Sequence, residues 1–72
     1  MEPREAVLVV LRGAEEPLHW TVIQDRALRE GLIDPFQVPD VRAAVLRALH
    51  ELRKAGAATS PATGVWALMP PA

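Results

Sequence analysis

The chain has 72 residues, half of them apolar, with eight Lys and Arg against nine Asp and Glu, two His and no Cys. A chain this short makes one domain, residues 1–72, and buries only about 60% of its unfolded surface, so stability has to come from a dense core or from surface covered by a partner. Without cysteine, and with His19 and His50 far apart and lacking companions at ligand spacing, no disulfide, structural metal or cofactor is indicated.

The first segment, Pro3 to Arg12, reads as a helix. Pro3 is tolerated in a first turn, Ala6, Val10 and Gly13 fall at helical spacing, and Glu2 and Glu5 at the start and Arg12 at the end suit the helix dipole. Its apolar run, Ala6 to Leu11, is far too short to span a bilayer and lacks the flanks of a signal peptide. No membrane partner and a cytoplasmic location are the expectation.

Glu15, Glu16 and Pro17 form a polar turn. Leu18, His19 and Trp20 then alternate apolar, polar, apolar, the rhythm of a short strand. At Thr21 the period changes: Val22, Ile23, Ala27 and Leu28 recur on one helix face, so a helix is expected over Val22 to Glu30 with Gly31 beyond its end. Thr21 is the expected N-cap, with Gln24 reaching back in a capping box. Pro35 stops any continuation, and the connector is expected to tuck Ile33 and Phe36 onto the core.

The third helix starts either with Asp40 as its N-cap or with Pro39 as its first residue, and runs to Ala55 before Gly56. Val41, Ala44, Val45, Ala48, Leu49 and Leu52 make one apolar stripe. The tail reads as a short strand, a four-residue connection containing Pro61 and Gly64, and a second strand through Val65 to Met69, with Pro70 to Ala72 as a frayed end. The order is helix, strand, helix, helix, strand, strand. This α+β arrangement, three helices with a small antiparallel sheet, is that of a winged helix-turn-helix, and it gives the segment Leu18 to Trp20 its purpose as a third strand with Trp20 and Trp66 buried beside it.

Three pieces carry a resemblance: PLHWTVIQDRALREGLI from Pro17, the helix VRAAVLRALHELRKAG from Val41, and TGVWALM from Thr63. Together they resemble the HARE-HTH family of winged helix-turn-helix domains, found at the ends of some restriction endonucleases, in chromatin proteins and in the delta subunit of bacterial RNA polymerase. The resemblance runs from about Arg4 to Met69 and is best matched at Pro17, Leu18, His19, Trp20 and Ile23. It departs at Val38 and Pro39, where the family often has Thr-Pro, and at His50, where an aromatic is common. It implies DNA recognition or a transcription-associated role.

On a helical wheel with the stripe inward, Ala43, His50 and Lys54 point outward, Arg47 lies on one shoulder, Leu46 and Arg53 on the other, and Arg42 near the core border. In a helix-turn-helix this face would enter the major groove of double-stranded DNA. Arg47, His50 and Lys54 are the expected base contacts and Arg42 and Arg53 the phosphate contacts, joined by Thr59, Ser60 and Thr63 from the wing. The same residues are equally those of an ordinary solvated face, with Arg47 and Glu51 at salt-bridge spacing. The charge balance bears on this choice: residues 1–38 carry four Arg against seven Asp and Glu, and residues 39–72 four cations against Asp40 and Glu51.

An enzyme is not expected. Pro39-Asp40 and Glu51-Leu-Arg-Lys echo a metal-dependent nuclease, but the two acids sit about 16 Å apart along one helix and cannot share a metal. There is no cysteine nucleophile, phosphate-binding glycine loop or serine with a histidine partner. Two functions remain. The chain is expected to be a small DNA-binding protein acting in transcription regulation or DNA targeting, or else an adaptor that docks on RNA polymerase or another protein through Phe36, Leu46 or its acidic first half. A homodimer would suit either, by burying more surface and doubling the basic helix.

Overall fold

The computed structural model describes residues 1–70, so the expected frayed end at Pro71 and Ala72 lies outside the described residues. Helix α1 spans Pro3–Arg12, strand β1 Leu18–His19, helix α2 Trp20–Arg29, helix α3 Val41–Lys54, strand β2 Ala58–Ala62 and strand β3 Val65–Leu68. The sheet is antiparallel with β3 in the middle, in the order β1-β3-β2. Three helices and this sheet make an α+β domain with the winged-helix order expected from the sequence.

The helices form where the apolar spacing puts them, and their ends follow local chemistry. Asp40 caps α3 by accepting a hydrogen bond on Oδ1 from the Ala43 N–H at 3.0 Å, a contact worth about 1 kcal/mol. Past the end of α2, the Leu32 N–H returns to the Ala27 carbonyl at 2.9 Å, and the chain turns inward. Ile33 is thereby buried, and with Val7, Ile23, Val45, Leu49 and Leu52 it forms the fully enclosed centre of the core. Each such side chain contributes about 1.5–3 kcal/mol.

Four local expectations are corrected. The strand β1 has only Leu18 and His19, because Trp20 is already helical. The cap of α2 is therefore His19, whose Nδ1 accepts from the Thr21 N–H at 3.3 Å and lies 2.8 Å from Thr21 Oγ1. No capping box forms: Gln24 Oε1 is buried without a hydrogen-bond partner. Phe36 does not tuck onto the core; it is 96% exposed. The cause is an Asp turn, in which Asp34 Oδ1 accepts from the Phe36 N–H at 2.9 Å while the Asp34 carbonyl accepts from the N–H groups of Gln37 and Val38, both at 3.0 Å. That turn spends the connector's apolar reach on Ile33 and points the next aromatic outward.

The hairpin is tighter than expected. Pro61 lies inside β2, at a register shift between Thr59 and Ala62, and the reversal is made by Thr63 and Gly64 alone. An edge strand is the place where a proline, lacking an N–H, costs no ladder bond.

Candidate nucleic-acid interface

Helix α3 carries Arg42, Arg47, Arg53, Lys54 and one carboxylate, Glu51, whereas the rest of the chain has four cations and eight carboxylates. All four cations of α3, and His50, are exposed. From Arg42 to Lys54 they extend about 18 Å along the axis. The two flanks of the helix treat these charges differently.

On the flank facing α1, a shallow groove is lined by Glu2, which precedes α1, by Arg4 and Glu5 from α1, and by Ala44, Arg47 and Glu51 from α3. Glu51 reaches Arg4 at 3.9 Å, with both side chains about half exposed, a contact worth at most about 1 kcal/mol. The expected pairing of Arg47 with Glu51 is corrected accordingly: the carboxylate turns to the neighbouring helix, and Arg47 makes no ion pair among the described residues.

On the other flank the partners are aromatic. Arg42 places Cζ 5.2 Å from the ring centroid of Trp20, a cation–π contact of about 0.5–1 kcal/mol at an exposed site. His50, expected to point straight out, stands edge-on to Trp66 with ring centroids 5.3 Å apart and planes at 88°. Trp66 is buried, and its Nε1 has no hydrogen-bond partner. Trp20 is only half-buried, so of the two expected core rings one is a lid over the core.

The wing turn closes onto this flank. The Trp20 N–H donates to the Gly64 carbonyl at 2.9 Å. Gly64 has φ +76, and a Cβ there would stand 2.9 Å from His19 Nε2 and 3.5 Å from Trp20 Cδ1. The dihedral favours glycine, and a Cβ would also have to push the His19 ring aside. The wing tip, the start of α2 and the first turn of α3 are thus one contiguous surface.

Of the expected wing contacts, Thr63 is exposed at this tip. Thr59 is half-buried and paired with Ala67, toward the base of the hairpin. Ser60 is committed to the hairpin itself: its Oγ lies 2.8 Å from the Ala62 carbonyl oxygen and 2.7 Å from that of Val65, so its hydroxyl proton is taken. Leu46 is half-buried rather than displayed. The pairing of Arg42 with Trp20 escaped the sequence reading; the signal available was Arg42 near the core border and Trp20 at the junction of two periodicities.

Among the described residues no group of three His, Cys, Asp or Glu is placed to hold a metal ion, and no helix is long and apolar enough to cross a membrane. No family model, curated protein or solved structure matches the chain.

Proposed function

We propose that this domain binds double-stranded DNA through the outer face of α3 and the wing tip, in transcription regulation or DNA targeting. One observation carries the reading: in a chain of net charge −1, four exposed cations collect on α3 with a single carboxylate, and that carboxylate leans away toward Arg4. A uniformly solvated surface would mix its charges. The spread of the cations suits successive phosphates, and guanidinium groups can also read guanine edges. The resemblance of Pro17 to Ile33 and of α3 to HARE-HTH domains supports the same reading.

The test is fluorescence anisotropy on a random-sequence duplex at about 50 and 200 mM salt. The expected outcome is binding that weakens with salt, with a logarithmic slope that falls by about two in an Arg47→Ala, Lys54→Ala variant. Absence of binding at the lower salt would sink the proposal.

The 96% exposure of Phe36 favours a second reading, that of an adaptor. An aromatic held outward by a fixed turn loses little freedom on docking and fits an anchor at a protein interface. The loop from Gly31 to Asp40 carries two carboxylates and no cation, which suits a protein pocket better than a phosphate backbone. Binding of purified RNA polymerase, abolished by Phe36→Ser and indifferent to Arg47→Ala, Lys54→Ala, would favour this reading over the first.

A further inference from the structure

We infer that Trp20 positions Arg42 as the base-reading contact of this surface, fixing the guanidinium beside the wing tip so that both meet the same stretch of duplex. The inference rests on the DNA-binding reading of α3 and adds to it which cation discriminates sequence.

Arg42 differs from the other cations of α3 in its surroundings. Its guanidinium lies over the Trp20 ring; like the other cations of α3, it makes no ion pair and no side-chain hydrogen bond among the described residues. A guanidinium stacked on a ring keeps its N–H donors at its edge, free for a bidentate acceptor such as guanine O6 and N7. An unsupported arginine would have to surrender its rotamer freedom on binding; here the contact with the ring already favours one placement.

Trp20 is itself held on two sides. Its backbone N–H is bonded to the Gly64 carbonyl at the wing turn, and its side chain packs against the core. A ring anchored in this way sets the distance from Arg42 to the wing. Arg53 and Lys54, about a dozen residues further along α3, have no ring beneath them and suit the less demanding task of phosphate contact.

A mutant cycle on duplex affinity tests this. Arg42→Ala should weaken binding about tenfold, and Trp20→Leu about three- to tenfold. In the Trp20→Leu background Arg42→Ala should cost less than about threefold further. Arg53→Ala should cost the same in both backgrounds, a result that general loosening of the fold would not give. Arg42→Lys keeps the charge without the planar fork, so it should retain the salt slope but not the affinity. Since Trp20 covers part of the core, Trp20→Phe serves as a milder variant that keeps a ring and most of the coupling. A duplex with carbon in place of guanine N7 should lose about the increment that Arg42→Ala loses.

Equal cost of Arg42→Ala in both backgrounds would overturn the positioning role while leaving DNA binding intact. Unchanged affinity for the N7-substituted duplex would make Arg42 a backbone contact and overturn the base-reading role. If the unaltered protein does not bind at low salt, the DNA-binding reading fails and this inference falls with it.

Discussion

On the flank of α3 that faces α1, Glu51 reaches Arg4 and the groove is lined by charges of both signs; on the other flank, toward the start of α2 and β3, Arg42 and His50 rest against Trp20 and Trp66. Both flanks are amphipathic edges of the same helix, and a wheel distinguishes them only by residue type. A carboxylate neutralises a cation, whereas an indole orients it and leaves its charge intact. Electrostatic attraction for a polyanion should therefore be concentrated on the aromatic flank and the outer face, and diluted toward α1.

The largest test of this contrast is structural. Trp66→Ala should cost about 3–5 kcal/mol, read as a lower midpoint in urea, because the ring is buried beneath His50. For a domain whose whole stability is of order 5–15 kcal/mol, that loss would approach unfolding. Trp20→Ala should cost clearly less, since Trp20 is only half-buried. Equal costs would mean that Trp20 is part of the core and not a support for Arg42.

Next in size is the wing junction. Gly64→Ala must adopt φ +76 and also displace His19, whereas Gly56, at φ +80, has nothing within 4 Å of a Cβ. The Gly56→Ala cost should be about 1 kcal/mol and the Gly64→Ala cost about 2–3 kcal/mol, again by urea denaturation. Only the second change should shift the NMR signals of the Trp20 indole. Matching costs would show that the wing turn can move freely off α2.

Much of this architecture was legible in the sequence because it rests on periodicity. The stripe of α3 and the order of elements follow from repeating patterns that tertiary contacts only reinforce, and of the two starts the sequence allowed for α3 the structure takes the Asp40 cap. The misreadings at the start of α2 and in the connector share one physical origin: a local hydrogen bond competes with periodicity there. Leu18 to Trp20 alternates like a strand, yet the His19 ring caps the backbone early and draws Trp20 into the helix. The connector holds two large apolar residues, and the Asp34 turn decides that Ile33 goes inward and Phe36 outward. The site was legible as a list of cations but not as a surface. Which cation meets a ring and which a carboxylate depends on contacts between α3 and residues some twenty to fifty positions away, and no local pattern encodes those.

The smallest effect probes the α1 flank. Glu51→Gln removes a half-exposed carboxylate and its 3.9 Å contact with Arg4, so stability should change by less than about 1 kcal/mol. If DNA lies across the outer face and the aromatic flank, Glu51 is turned from the phosphates and screened by water. Duplex affinity should then rise by no more than about twofold, the increment expected for one charge some 8 Å from a phosphate in high dielectric. A gain of tenfold or more would place the phosphates over the groove between α1 and α3. Arg47, Arg4 and that groove would become the contact surface, and the stack of Arg42 on Trp20 would be a structural contact at its edge.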